Sequence, residues 1–314
     1  KQKTAYEIGV RLVGSEMCIR DRPMSMGGAF IAVADDANAI TWNSAGLPGL
    51  RRTEFTSTYA ELYAMAITQS YIGFVKPISD RVALGMDWSN VGFDDKELLY
   101  SENKLNFAVG IQIHKMVSLG FTLKYLMRDM QLDGTSYGKS SGIGQDAGLL
   151  IQPLKNLKLG LGLYDLGGTQ VSYKDKTTET VLGQALKLGI SYSPINGLIL
   201  AADFGDRVHV GAEYILASRV SFRAGVQQDF SGEEKILVPS TGLSIKFKSI
   251  IAEYGYESHT YLEPTHRISI ALQFSPAVVS ITKTAISHNP IFRSLHRYYE
   301  SEPFVKLGLK NISD

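Results

Sequence analysis

Leu105-Asn-Phe-Ala-Val-Gly-Ile-Gln-Ile-His114 runs, after only Lys115 and Met116, into Val117-Ser-Leu-Gly-Phe-Thr-Leu-Lys-Tyr125. Every second residue is apolar: Leu105, Phe107, Val109, Ile111 and Ile113, then Val117, Leu119, Phe121, Leu123 and Tyr125. Side chains on a strand alternate between its two faces. Each run is therefore a strand with one apolar face and one face of Asn, Ala, Gly, Ser, Thr and Lys. A helix would scatter the same apolar residues around its circumference.

The pattern extends in both directions. Leu157, Leu159, Leu161 and Leu163 alternate with lysine, glycine and tyrosine, and Val220, Phe222, Ala224 and Val226 with Ser221, Arg223, Gly225 and Gln227. Between residues 53 and 274 the periodicity predicts about 14 such segments. They begin near residues 53, 67, 81, 104, 117, 142, 156, 184, 197, 207, 219, 238, 250 and 264. Most are about 9–11 residues long, the length a tilted strand needs to cross a bilayer.

The connections carry a second signal. Short links join Val75 to Val82, His114 to Val117, Ile151 to Leu157, Tyr192 to Leu198, Leu216 to Val220 and Phe247 to Ile250. Between them lie mostly longer polar links, at residues 89–103, 128–140, 167–184, 229–239 and 258–265, with the short Phe204–Val208 link an exception. Alternation of short and long links marks a membrane β-barrel with an even strand number, its tight turns periplasmic and its longer loops outside. A soluble sandwich also alternates, but its wet face would carry many charges. Here that face is largely Gly, Ser, Thr, Ala and Gln with scattered Lys, Arg and Glu. Tyr59, Tyr63, Tyr71, Trp88, Tyr100, Tyr125, Tyr164, Tyr192, Tyr254, Tyr256 and Tyr261 near strand ends fit interfacial girdles. The expectation is an all-β protein: an antiparallel transmembrane barrel over residues 51–274, in which closure satisfies every backbone group inside lipid.

Composition agrees. The 314 residues are 44% hydrophobic and 20% charged, with 32 basic and 31 acidic side chains and 30 glycines. That excludes a disordered chain and a highly charged nucleic-acid arm, and basic aromatic stripes for nucleic acid are absent. No 18-residue apolar run marks a transmembrane helix.

Residues 1–22, KQKTAYEIGVRLVGSEMCIRDR, resemble the translation of a sequencing-library adapter. On that reading they are non-native and stand outside the fold. Removing their five basic and three acidic side chains from the 32 and 31 of the whole leaves 27 and 28, a net charge of −1. Cys18, the sole cysteine, goes with them, and with it thiol catalysis, disulfides and thiolate metal sites.

Residues 23–50, PMSMGGAFIAVADDANAITWNSAGLPGL, precede the first strand and do not alternate. Gly27 and Gly28 permit close backbone approach or unusual dihedrals. Asp35 and Asp36 are read chiefly as capping groups for backbone amides. Phe30, Ile31, Val33, Ile40 and Trp42 supply apolar surface. The segment resembles the start of FadL-type and PorV/PorQ-type outer-membrane proteins. The resemblance rests on Met26, Gly27, Gly28, Ala29, Phe30, Ala34, Asp35, Asp36, Ala37, Trp42, Asn43, Ala45, Gly46 and Leu47. Ser44 stands where the family has proline, which leaves the turn less rigid. The resemblance implies that residues 23–50 fold into the lumen as a hatch, and that the protein sits in a bacterial outer membrane with both barrel ends of the chain periplasmic.

Ile268, Ile270, Leu272 and Phe274 alternate in the last barrel strand, and Phe274 is similar to the closing aromatic of many outer-membrane barrels. Residues 275–314 are read as a periplasmic extension, the truncated start of a further domain. Asn289–Glu300 is predicted as a short helix with Pro290 in its first turn, and Phe304–Lys310 alternates as a strand.

Chemistry is sparse. Gly142-Ile-Gly-Gln-Asp-Ala-Gly148 lacks the strand–turn–helix context of a dinucleotide loop; its glycines fit a crowded luminal face. His114, His209, His259, His266, His288 and His296 show no metal-ligand spacing, though His259 and His266 flank one loop. There is no Gly-x-Ser-x-Gly elbow. Lys124, Lys158, Lys187, Arg223, Lys246, Glu253 and Arg267 are expected to solvate the interior and pair with one another. No enzyme activity, cofactor or metal is expected. The expected partners are outer-membrane lipid and hydrophobic small molecules such as fatty acids. The resemblance leaves two functions open: FadL-like passive uptake of hydrophobic molecules, or a PorV/PorQ-like scaffold with type IX secretion-system proteins as partners.

Overall fold

The computed structural model describes residues 21–94, 98–132, 135–173, 178–229, 236–274, 279–286 and 305–311. The chain divides into two units, residues 1–273 and 274–314. The first begins with helix α1 (Asp21–Ser25), helix α2 (Ala39–Trp42) and a 3-10 turn (Ser44–Gly49).

Fourteen antiparallel strands then close a barrel. They are β1 (Thr53–Leu62), β2 (Ile67–Pro77), β3 (Val82–Asp94), β4 (Leu98–His114), β5 (Val117–Leu132), β6 (Thr135–Leu154), β7 (Leu157–Tyr164), β10 (Ala185–Tyr192), β11 (Leu198–Phe204), β12 (Arg207–Leu216), β13 (Val220–Asp229), β14 (Leu237–Phe247), β15 (Ile250–Glu257) and β16 (Thr265–Phe274). Each pairs with its neighbour in sequence, β7 pairs with β10, and β16 lies beside β1 to complete the ring. The strands skipped, β8 (Thr169–Tyr173) and β9 (Thr178–Leu182), form a hairpin in the β7–β10 link, and β8 pairs with β6 over Ser140–Ile143.

The strand faces invert the order of a soluble protein. On β16, Ile268 and Ile270 are exposed while Arg267 and Ser269 are buried. On β2, Ile72 and Phe74 face out and Tyr71, Gly73 and Val75 face in. Apolar residues that would seek a soluble core instead cover the outside, where hydrocarbon is the solvent. No described helix is long and apolar enough to cross a membrane; the strands cross instead.

Two expectations need correction. The links at residues 89–103 and 128–140 are largely strand: β3 continues to Asp94, β4 starts at Leu98, and β5 and β6 meet near Leu132 and Thr135. In these stretches polar residues such as Ser89, Asn90, Ser101 and Asn103 interrupt the hydrophobic alternation while the pairing continues. Trp88 and Asn90, for example, both donate to Asn103 Oδ1 across the ladder, at 3.1 and 3.2 Å. The second correction concerns the girdle. Tyr59, Tyr125, Tyr192, Tyr254 and Tyr261 are exposed, but Tyr71 is buried inside the barrel and bonded to Asp87. Tyr164 donates to the carbonyl of Trp42.

In the second unit β17 (Val279–Ile286) pairs with β18 (Val305–Asn311) in a two-stranded antiparallel sheet. The helix expected at 289–300 lies outside the described residues.

Candidate functional site

The candidate site is the junction between the N-terminal segment and the inner wall. A ring of inward glycines brings the two together: Gly85, Gly110, Gly120, Gly148, Gly160, Gly189, Gly211, Gly225, Gly242 and Gly255, one each from β3–β7, β10 and β12–β15. A Cβ on any of them would lie within 3.0 Å of the segment. Gly110 and Gly120 meet Ser44 and Ala45, Gly160 meets Ile31, and Gly211 and Gly225 meet Met26 and Gly27. At this level backbone packs on backbone. The glycine excess in the composition is therefore largely a matter of space.

The segment's own geometry follows from its sequence. Gly27 and Gly28 adopt φ of +63° and +82°, so the chain can turn back after α1. Asn43 Oδ1 accepts from Ala45 N at 3.1 Å and opens the 3-10 turn that starts at Ser44. Asn43 Nδ2 donates to Ile31 O and, across to β6, Leu149 O. Gly46 packs on Ala34, with no room for a side chain between them. Phe30, Ile31, Val33, Ile40 and Leu47 are fully buried, and Phe30 meets Trp42 edge-on at 6.1 Å. Burying such a side chain contributes about 1.5–3 kcal/mol each.

Polar groups on the wall fix the segment further. Asp203 Oδ2 accepts from the amides of Phe30 and Ile31 at 2.6 and 2.8 Å. Glu54 accepts from Ala37 N at 2.9 Å, and Ser240 Oγ from Gly27 N at 3.0 Å. His209 Nδ1 lies 2.7 Å from Gly27 O, and Thr122 donates to Ile40 O at 3.2 Å. Sequence reasoning missed Asp203, Glu54 and His209. Their signal is faint: Asp203 is the only charged residue of β11, at a position facing the lumen.

Arg22 joins the two parts electrostatically. The sequence assigns Asp21 and Arg22 to the adapter-like stretch, and the structure places both in α1, buried. The Arg22 guanidinium contacts Asp35 and Asp36, each at 2.7 Å, and Glu213 of β12 at 2.6 Å. Glu213 also takes Arg223 of β13 at 2.7 Å, and Arg223 takes Glu253 of β15 at 2.9 Å. Burial opposes the charge on Arg22, but Asp35, Glu213 and Asp36 outweigh it and hold the group well above its ordinary pKa. Asp36 also accepts from Asn38 N at 2.7 Å, so its capping role and its ion pair coexist. Phe274, by contrast, ends β16 exposed and away from this junction.

Toward the long-loop end the lumen is lined by further charge clusters. Lys124 bridges Asp146 at 2.7 Å and Asp165 at 2.6 Å. Arg267 pairs with Glu257 at 2.7 Å, and Tyr71, Asn106 and Thr41 converge on Asp87. At the short-turn end Lys158 donates to Val33 O, and Lys246 to Gln273. His259 and His266 do not meet; His266 contacts Tyr254, and His259 meets Tyr63 edge-on. Among the described residues no group of three His, Cys, Asp or Glu is placed to hold a metal ion.

No family model matches the sequence, and no curated protein matches it. Solved structures do. The CymD monoaromatic hydrocarbon channel superposes with a TM-score of 0.64 at 14% identity, covering 81% of this chain and 97% of that one. The fold is FadL-like. The Pseudomonas putida toluene transporter TodX aligns with a TM-score of 0.61 at 10% identity, covering 81% of this chain and 98% of its own. A Pseudomonas aeruginosa FadL homologue aligns at 0.57 and 11% identity, covering 79% and 96%. The FadL-like barrel thus resembles outer-membrane channels, and nothing in these comparisons favours the secretion scaffold.

Proposed function

We propose that this FadL-like barrel admits hydrophobic small molecules passively across the outer membrane, with residues 23–50 as its hatch. The observation that carries the reading is a fold shared over 97% of the length of a monoaromatic hydrocarbon channel. A lumen filled at one level by a separate N-terminal segment supports it, because such a seal is what a gated channel needs and a plain pore does not.

The mechanism follows from the layout. Solute is captured between the long loops, where Leu62, Ile67 and Val91 form a small apolar cluster with Tyr63 and Phe93. Below it, ion pairs cancel one another and leave the wall with little net charge to solvate. Passage along the axis then requires the segment to leave the glycine ring, or the solute to leave sideways. A sideways exit has one natural place. β6 pairs with β7 from Ala147 onward and with β8 up to Ile143. On that side residues 144–146 between them are covered by no strand but by the β7–β8 turn, whose Leu166 N donates to Gln145 O and Asp165 N to Asp146, each at 2.8 Å.

The test is uptake of toluene or a fatty acid into liposomes carrying the full chain. Uptake above protein-free vesicles, raised by deletion of residues 23–50, is the expected result. Equal rates in protein-containing and protein-free vesicles would overturn the reading.

A further inference from the structure

Among the described residues the two ends of the barrel expose charge of opposite sign, and the short-turn end has a repeating chemistry of its own. Five of its turns each expose one large apolar side chain beside one cation. Ile78 stands with Arg81, Met116 with Lys115, and Leu154 with Lys155. Leu216 stands with Arg219, and Phe247, 70% exposed, lies under the Lys248 ammonium at 5.9 Å. Arg51 and Arg52 before β1 and Lys76 at the end of the lipid face of β2 add three more exposed cations. Among the described residues Asp80 is the single exposed acid on this rim, 3.8 Å from Arg51. At the opposite end the described exposed charges are chiefly acidic: Glu61, Asp94, Asp206 and Glu263, with Lys139.

We propose that the short-turn rim is a collar for anionic phospholipid headgroups. The pairing of residues decides between partners. A turn tip that offers only cations would fit any polyanion. A tip that offers an apolar side chain and a cation together fits an acyl–headgroup boundary, with the apolar group in the acyl edge and the cation on the phosphate. The pairing recurs on turns spread around the ring, from β2–β3 to β14–β15. A lipid leaflet surrounds a barrel on all sides, whereas an acidic protein would meet one arc of it. Lys76 makes the same point on the wall: it follows Ile72 and Phe74 on one outward face, at the depth where hydrocarbon gives way to phosphate. The collar is independent of what the lumen carries.

The experiment uses the full chain in phosphatidylcholine vesicles with spin-labelled phosphatidylglycerol or spin-labelled phosphatidylcholine as the probe, and reads the motionally restricted fraction of each. The expected preference for phosphatidylglycerol is about threefold at low salt, given that each cation near an anionic surface adds attraction. It should fall to about one in the variant R81S/K115S/K155S/R219S/K248S and in about 1 M NaCl, where the Debye length shrinks to about 3 Å. The salt arm reads the wild-type chain, so it decides even if the variant fails to fold. Neutralising the other end with E61Q/D94N/E263Q should leave the preference in place. A wild-type ratio of one, as an acidic protein partner would leave it, or a preference insensitive to both salt and the five-site variant, overturns the proposal.

Discussion

Along β4, Phe107 and Ile111 point into lipid while Ala108 and Gly110 point at the N-terminal segment. The two faces are built from one alternation yet answer to different constraints. Outside, Phe107 and Ile111 remain about half exposed on the bare protein, and any apolar shape will do because lipid chains conform to it. Inside, at Gly110, the carbonyl of Ser44 occupies the space where a Cβ would be. One face selects for hydrophobicity and tolerates shape; the other selects for size and tolerates almost nothing.

Substitutions can break that contrast or sharpen it. The largest effect is expected from Glu213→Ala, which strips one carboxylate from both Arg22 and Arg223 at the buried centre of their network. A loss of about 3–5 kcal/mol is expected, measured by urea unfolding in micelles with heat-shifted gel migration as the folding assay. Gly225→Val comes next, at about 3 kcal/mol, because the new side chain meets the backbone of Met26 and Gly27. Should Gly225→Val unfold at the wild-type urea midpoint, the size constraint on the inner face is gone. Asp203→Ala orphans the amides of Phe30 and Ile31 and should cost about 2 kcal/mol. Amide exchange by mass spectrometry should show it as faster exchange confined to residues 29–33. Phe107→Leu, on the lipid face, should stay within about 0.5 kcal/mol of wild type; a larger shift in the same unfolding assay would mean that the outer face is also size-selected.

The strand pattern was largely legible in the sequence because lipid makes the period-two signal clean. The expected starts near residues 53, 67, 117, 207 and 250 match β1, β2, β5, β12 and β15 to the residue. The signal failed where the chemistry changed. Above the lipid Ser89, Asn90, Ser101 and Asn103 continue the ladder and interrupt the hydrophobic alternation, so β3–β6 read as shorter than they are. The β8–β9 hairpin is polar for the same reason. Within residues 23–50 the turn residues were readable from Gly27, Gly28 and Asp36, because their roles are local. Asp203, Glu213 and His209 were not, since the N-terminal groups they bond lie more than 170 residues away. The glycines were visible as an excess, but their purpose became clear only once the opposing backbone was in place.

Those separations also set an order of assembly. The amide of Gly27 is bonded to Ser240 across 213 residues, and Arg22 reaches Glu213 across 191. Contacts this distant must wait for nearly the whole chain to close its loops first, at an entropic cost that local pairing of neighbouring strands avoids. The first described residues of the chain are thus among the last to find all their partners. Folding should run hairpin by hairpin along the wall, and the glycine ring then ties the first described residues to β12–β15.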